Sequence, residues 1–284
     1  MADILRGADV VSALGENMKK DARLLSSKGV TPLLAILRIG ERPDDISYEN
    51  NAVKRGKSVG VMTRSVTLPP GVSGDELISA IRSLNGDPAV HGVLILRPLP
   101  KHIDERAACE ALDPGKDVDG ITSSSLAGVF TGSGAGFPPC TAQAVIEVLD
   151  YYGIDCAGKK AVIIGRSLVV GKPVAMMLLS RNATVTVCHT RTADIPSITR
   201  SSDIIIAASG QAEGLTEEYF APGQVVIDVG INWNEEKGKL CGDVKFDDAQ
   251  PIAAAITPVP GGIGTVTTSV LISNVIKAAY LTSY

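Results

Sequence analysis

The feature that most constrains this chain is its alternation of short apolar runs with longer amphipathic stretches. The runs 33–37, 92–96, 161–164, 184–188, 204–207 and 225–229 are too short for helices and rich in Val, Ile and Leu. They read as strands buried on both faces. Between them the apolar residues recur at helical spacing, over roughly 8–27, 47–58, 73–84, 140–152 and 171–181. Strands buried on both faces need helices on both sides, so the pattern predicts an α/β protein built on parallel sheets. A chain of 284 residues has material for two such domains. The Gly-, Ser- and Pro-rich stretch Thr131–Pro139 divides it near its middle, and the expected boundary falls between 138 and 139.

Composition narrows the function classes. Hydrophobic residues make up 45% and charged residues 20%, with a net charge of −4. No cluster of Lys or Arg marks a nucleic-acid surface. Charges, prolines or glycines interrupt every apolar stretch before it reaches the length of a membrane span, and the start Met1–Arg6 lacks the apolar core of a secretory signal. A cytoplasmic protein is expected. Five scattered cysteines without a Cys-x-x-Cys pair argue against a disulfide framework or structural zinc. The three histidines offer no i, i+4 metal pair.

In the second half, Lys160–Ile164 runs into Gly165-Arg166-Ser167-Leu168-Val169-Val170-Gly171-Lys172-Pro173 and then a helix. A tight strand-to-helix turn aims free backbone N–H groups and a positive helix end at a phosphate. The spacing is not G-x-G-x-x-G, so the turn alone is compatible with a phosphate site or with an ordinary tight turn. After the next strand comes Cys188-His189-Thr190-Arg191-Thr192. An acid there would hold the ribose 2′-OH of NAD; Thr190 and Arg191, with Arg166 nearby, suit a 2′-phosphate and favour NADP. Ser209-Gly210 and Asp228–Asn232, Ile231 among them, follow later strands, where a flat cofactor approaches the sheet edge.

Five segments, in order, resemble the methylenetetrahydrofolate dehydrogenase/cyclohydrolase family. They are Lys116-Asp117-Val118-Asp119-Gly120, the 165–173 turn, Asn182–His189, Val226–Asn232 and Thr257–Gly264. The resemblance implies two α/β domains flanking a cleft, the second a Rossmann-like dinucleotide domain. It assigns 1–138 to a folate-binding catalytic domain completed by a C-terminal helix over 269–284, and 139–268 to an NADP-binding domain. It also implies a homodimer. By position, Tyr48 would stack on the folate, Asp119 would bond its pterin, and the loop Pro260-Gly261-Gly262-Ile263-Gly264 would close over the substrate. Gly165, Arg166, Ser167, Gly171, Pro173, His189, Thr190, Arg191, Ser209, Gly210 and Ile231 would face the cofactor.

The departures matter as much as the matches. The family carries its acid–base lysine four residues after the tyrosine, and here that position is Ala52. Lys54 lies about 120° around a helix from Tyr48. The glutamine that positions the lysine becomes Leu96 in Gly92-Val93-Leu94-Ile95-Leu96-Arg97-Pro98-Leu99-Pro100. Strand alternation would turn Arg97 to the face opposite Leu96. Thr122–Ser125, Thr141–Ala144 and Thr265–Thr267 also differ from the family pattern, which bears on substrate affinity. The expectation is an NADP-linked dehydrogenase of 5,10-methylenetetrahydrofolate with weak or absent cyclohydrolase activity. Three alternatives stand beside it: a bifunctional enzyme with Lys54 reaching the site through a shifted helix, a silent folate or NADP sensor, and another two-domain dehydrogenase acting on a carbonyl substrate, which fits the fold but not the Asp119 and Pro260–Gly264 segments.

Overall fold

A computed structural model describes residues 1–235 and 237–282. In chain order the strands are β1 (Asp3–Ile4), β2 (Leu33–Ile39), β3 (Met62–Leu68), β4 (Gly92–Ile95), β5 (Lys160–Ile164), β6 (Thr184–Cys188), β7 (Ile204–Ala207), β8 (Val225–Asp228), β9 (Asn232–Asn234), β10 (Lys239–Cys241) and β11 (Ala255–Ile256). The helices are α1 (Gly7–Ser27), α2 (Pro43–Val59), α3 (Gly74–Gly86), α4 (Glu105–Glu110), α5 (Ser123–Thr131), α6 (Cys140–Tyr151), α7 (Gly171–Leu179), α8 (Ile195–Arg200), α9 (Phe246–Ala249) and α10 (Ile263–Thr282). The chain forms two compact units, one of Met1–Ser12 with Thr141–Thr267, the other of Ala13–Cys140 with Thr268–Tyr284.

The unit holding Ala13–Cys140 is built on a parallel sheet in the order β3-β2-β4. The central strand is buried along almost its whole length, with Leu34 through Leu37 out of solvent, as the unbroken apolar run predicts. Leu77, Ile81 and Leu84 of α3 pack with Leu37, Val93 and Ile95 in one core. Helix α3 starts at a capping box in which Ser73 and Glu76 satisfy each other's backbone N–H. Helix α2 starts at Pro43, four residues before the expected 47: a proline at the first helical position lacks only an N–H that would be orphaned there, and Asp44 and Asp45 complement the helix dipole.

The other unit carries a six-stranded parallel sheet ordered β1-β11-β8-β7-β5-β6. The strand order reverses about β5, the hallmark of a doubly wound sheet. The two-residue strands β1 and β11 escape the periodicity argument because they show no repeat. Through them Met1–Ser12 joins this unit, not the Ala13–Cys140 unit as 1–138 would have it: Asp3 and Ile4 pair with Ala255 and Ile256. A separate antiparallel ribbon pairs β9 with β10. Helix α10 begins at Ile263 rather than 269, and residues 283 and 284 of the expected helix lie outside the described residues. Among the described residues no helix is long and apolar enough to cross a membrane.

Strand β4 approaches its cover so closely that its first residue must be glycine. A Cβ on Gly92 would lie 2.7 and 2.9 Å from the Val118 methyls and 3.1 Å from a Val275 methyl. Both valines are fully buried and have nowhere to go. Gly92→Ala is therefore expected to lower stability by about 1–3 kcal/mol, read as a lower urea midpoint at an unchanged slope; an unaltered midpoint would show that the layer yields freely.

Candidate functional site

The first site candidate lies in the Ala13–Cys140 unit, on α2 and two loops. Helix α2 buries the stripe Asp45, Glu49, Ala52, Gly56 and Val59, the i, i+3, i+4 pattern of a helix against a sheet. Glu49 is held there by the Arg38 guanidinium at 2.7 Å and by the Ser65 hydroxyl. Tyr48 stands beside this stripe, half-buried, and shares its face with the fully buried Ala52. Lys54 is exposed, on an unbroken helix. Burial raises the Tyr48 phenol well above its usual pKa, and the neighbouring Asp119 carboxylate and Cys140 thiol push the same way. At neutral pH the phenol therefore keeps its proton and cannot act as a base.

Asp119 is presented by a loop whose other charges are spent on structure. Lys116 donates to the carbonyls of Leu84, Asn85 and Asp87 at 3.0, 2.7 and 2.7 Å, satisfying the C-terminal end of α3. Asp117 accepts from the N–H groups of Ile121 and Thr122 and from the Ser125 hydroxyl, fixing the start of α5. Thr122 caps that helix, so Thr122 and Ser125, which differ from the family pattern, are tied up within the loop. Cys140 is buried as expected but also polar in its contacts: its thiol donates to the Val118 carbonyl, and the Asn274 amide reaches its sulfur.

Arg97 requires a correction. Strand β4 ends at Ile95, so the alternation that would have turned Arg97 away from the Leu96 side does not extend to it. Leu96 is buried, while the Arg97 guanidinium comes within 3.8 Å of the Asp119 carboxylate and 3.7 Å of Glu105. Asp119 has its pKa raised to about 6, chiefly by burial and secondarily by Asp117, against the lowering effects of Arg97 and of a hydrogen bond from Cys140.

The second candidate lies in the unit of the six-stranded sheet. A pocket of about 330 Å³ opens at the carboxyl ends of β5, β6 and β7, and brings Gly165, Arg166, Ser167, His189, Thr190 and Ser209 together. A Cβ on Gly165, whose φ is +130°, would strike the Ala208 carbonyl, and one on Gly171 would strike the Gly165 carbonyl. The turn is thus as tight as backbone allows, the cradle that close approach of a dinucleotide demands. Pro173 is buried in the first turn of α7. Gly171, Pro173, Arg191 and Gly210 support the walls without lining them. Arg191 is exposed and donates its backbone N–H to His189 Nδ1. Ile231 lies away from the pocket, beside Gly264, where a Cβ on the glycine would meet its Cδ1 at 2.8 Å. Ile263 and Gly264 belong to α10 and not to the Pro260–Gly262 loop.

Sequence reasoning missed Gln211 and Tyr219 in the pocket wall, since neither sits in a strand-end motif. It also missed the acid pair beneath the Ser209 turn. Asp243 accepts from the Gly210 N–H at 2.9 Å, the Ser209 hydroxyl at 3.0 Å and the Asn232 amide at 2.9 Å. Asp228 accepts from the N–H groups of Gly230, Asp243 and Val244, and burial raises its pKa to about 7 against those bonds. The short Gly242-Asp243-Val244 stretch was the available signal.

A doubly wound parallel sheet with a phosphate-tight turn at its switch point defines a dinucleotide-binding α/β protein. Comparison with known proteins refines this. The family model for the tetrahydrofolate dehydrogenase/cyclohydrolase NAD(P)-binding domain matches residues 139–283, and that for its catalytic domain matches 5–119. The chain belongs to the tetrahydrofolate dehydrogenase/cyclohydrolase family. It is 47% identical to the bifunctional protein FolD of Carboxydothermus hydrogenoformans, over 98% of this chain and 97% of that one. The crystal structure of the bifunctional FolD enzyme from Campylobacter jejuni is 38% identical with a TM-score of 0.96, covering 99% of both chains. The Trypanosoma brucei dehydrogenase-cyclohydrolase, solved with NADP and an inhibitor, is 36% identical with a TM-score of 0.92, over 99% of this chain and 98% of that one.

Asp119 makes stability pH-dependent with a definite sign. Its folded pKa of about 6 lies above its ordinary 3.8, so its contribution is fully present below about pH 4 and is lost as pH rises through 6. Asp119→Asn, which cannot ionise, is expected to gain a few degrees in melting temperature relative to the unaltered protein between about pH 4 and pH 7; a difference that stays flat with pH would contradict this.

Proposed function

We propose that this protein oxidises 5,10-methylenetetrahydrofolate to 5,10-methenyltetrahydrofolate with NADP, and hydrolyses the methenyl product slowly or not at all. The observation that carries the second half is the buried Ala52 on the Tyr48 face, where the family resemblance puts a lysine, together with the buried Leu96 in place of its glutamine.

The tight turn at Gly165 and Gly171 and the pocket above it fit a dinucleotide, and Arg166 and Thr190 on its wall suit a 2′-phosphate. NADP, when bound, supplies the acceptor for the hydride released from the methylene bridge, as that C–H bond breaks and the folate nitrogen lone pair stabilises the resulting cation. What the chain contributes to that step is positioning. Tyr48 offers a flat ring and a proton-bearing hydroxyl, and Asp119 offers a carboxylate to the donor edge of the pterin.

Hydrolysis of the methenyl cation is a different task, needing a water activated and a proton moved. A placed general acid–base group typically supplies 10²–10⁴-fold there. Ala52 and Leu96 present hydrocarbon, Tyr48 holds its proton, and arginine at 97 is a poor proton shuttle. The two replacements also agree with each other. A lysine lost alone would strand the glutamine, whereas Ala52 with Leu96 leaves no unmatched polar side chain.

A progress curve with 5,10-methylenetetrahydrofolate and NADP tests this. NADPH and the methenyl compound are expected to rise together, with the latter decaying only at its uncatalysed rate. Consumption of the methenyl compound as fast as it forms would defeat the reading, and absence of both products would leave a binding protein. Restoring the pair in Ala52→Lys/Leu96→Gln is expected to raise hydrolysis on the order of 10²-fold while leaving hydride transfer within a few-fold. No gain in a folded double variant would show that another feature limits the hydrolase.

A further inference from the structure

We propose that Arg97 is a positioning residue that keeps Asp119 ionised, so that the carboxylate can accept two hydrogen bonds from the N–H-rich edge of the bound heterocycle. The inference rests on the folate reading above for the identity of that heterocycle, but the ion pair itself does not.

The geometry has three parts. First, Arg97 is held at both ends. Arg42 donates to the carbonyl of Pro98 at 2.7 Å and to that of Arg97 at 3.4 Å, and is itself paired with Asp45 at 2.7 Å. At the guanidinium end stands Glu105, whose other oxygen accepts the Leu99 N–H at 2.9 Å. Second, the guanidinium lies 3.8 Å from Asp119. That is beyond hydrogen-bond length but within strong charge attraction, so the cation stabilises the charge while leaving the carboxylate's lone pairs free for a ligand. Third, the remaining groups around Asp119 bring no positive charge, and of them the Cys140 thiol favours its ionisation only through a hydrogen bond. Asp117 on the same loop repels it, and the Tyr48 phenol from α2 and the Cys140 thiol from α6 both have raised pKa values and stay protonated. Among these groups Arg97 alone brings positive charge.

Ionisation matters because a neutral carboxylic acid directs one O–H outward. Facing a ligand edge made of donors, it loses an acceptor and sets donor against donor. With Asp119 already raised to about 6 while Arg97 is present, loss of the guanidinium carries it into the neutral range. Binding would then weaken at pH 7 and recover in alkali.

The test follows the ligand-free carboxylate and the substrate dependence in parallel. Carboxyl ¹³C NMR, with Asp119 identified by Asp119→Asn, gives its titration in the unaltered protein, Arg97→Met and Arg97→Lys. Steady-state kinetics from about pH 5.5 to 8.5 give KM for methylenetetrahydrofolate and kcat, and thermal unfolding confirms that each variant is folded. The Met variant is expected to move the Asp119 midpoint up by about one pH unit or more. Its KM at pH 7 is expected to rise about threefold to tenfold and to fall back towards the unaltered value near pH 8.5, with kcat changing less. Lysine, keeping the charge, is expected to restore most of both. An unmoved midpoint in the Met variant overturns the proposal, and so does a moved midpoint with KM unaffected at every pH. Should Arg97→Met fail to fold, the comparison of Arg97→Lys with Glu105→Gln, which loosens the anchor, reads the same midpoint. If the unaltered protein shows no turnover of methylenetetrahydrofolate, the folate reading falls, while the titration still decides whether Arg97 governs Asp119.

Discussion

The Ala13–Cys140 unit depends on one constraint: charges taken out of water must be fully matched. The loop between α4 and α5 carries Lys116, Asp117 and Asp119 within four residues, all partly or wholly buried. Lys116 answers three carbonyls at the end of α3, and Asp117 answers two amides and a hydroxyl at the start of α5. Stranding a charge like either costs several kcal/mol, so the loop has one way to sit. Val118, next along the chain, is pressed against Gly92 and buried. What the loop presents is then decided: Asp119, whose only cation among the groups acting on it is Arg97 at 3.8 Å rather than in direct contact. A carboxylate whose neighbours saturate it is structural. One whose charge is balanced at a distance remains able to bind.

This division explains what could be read from the residues and what could not. Strands β2, β4, β5, β7 and β8 are legible because burial on both faces favours an apolar run, whereas β6, an edge strand largely open to solvent, is legible by its alternation of Thr and Val. Strands β1 and β11, two residues each, leave no such trace; their pairing is a long-range event. Strand β3 is hidden for another reason. As an edge strand it mixes polar and apolar residues, with only Thr63, Val66 and Leu68 half-buried, so no apolar run marks it. In the candidate sites, residues carried by a turn motif, such as Gly165 and Gly171, are recognisable because only glycine fits. Residues outside such turns are not: Gln211, Tyr219 and Asp243 carry no such mark, and Asp228, though it ends β8, gives no sign of its pairing with Asp243. The approach of Arg97 to Asp119 is illegible for a related reason: alternation holds within a strand, and β4 stops two residues earlier.

The acid pair below the Ser209 turn shows the same principle in the other unit. Gly230 and Gly242 admit no Cβ because the carboxylates of Asp243 and Asp228 occupy that space. Asp228 is satisfied by backbone N–H groups, and Asp243 by backbone N–H groups together with the Ser209 hydroxyl and the Asn232 amide, so the pair clamps the chain around the Ser209 turn. The Ser209-Gly210 backbone is thereby held at the rim of the pocket with its amides already spoken for. A ligand there meets a wall that does not have to reorganise, which is how preorganised sites reduce the entropic cost of binding.

On the proposed reading, hydrocarbon at Ala52 and Leu96 has a physical consequence beyond the loss of an acid–base residue. Hydride transfer is favoured when water is excluded, since water competes for position and weakens every charge interaction nearby. Hydrolysis requires the opposite, an ordered water with a group to take its proton. A site serving both must compromise, keeping a lysine charged and hydrated close to the reacting carbon. Hydrocarbon at both positions would remove the compromise. It also removes a positive charge from the vicinity of a product that is itself a cation, leaving Arg97 as the cation balanced against Asp119 and Glu105. Under the proposed function, electrostatics point the same way as the replaced proton shuttle: surroundings without that lysine suit a cationic product.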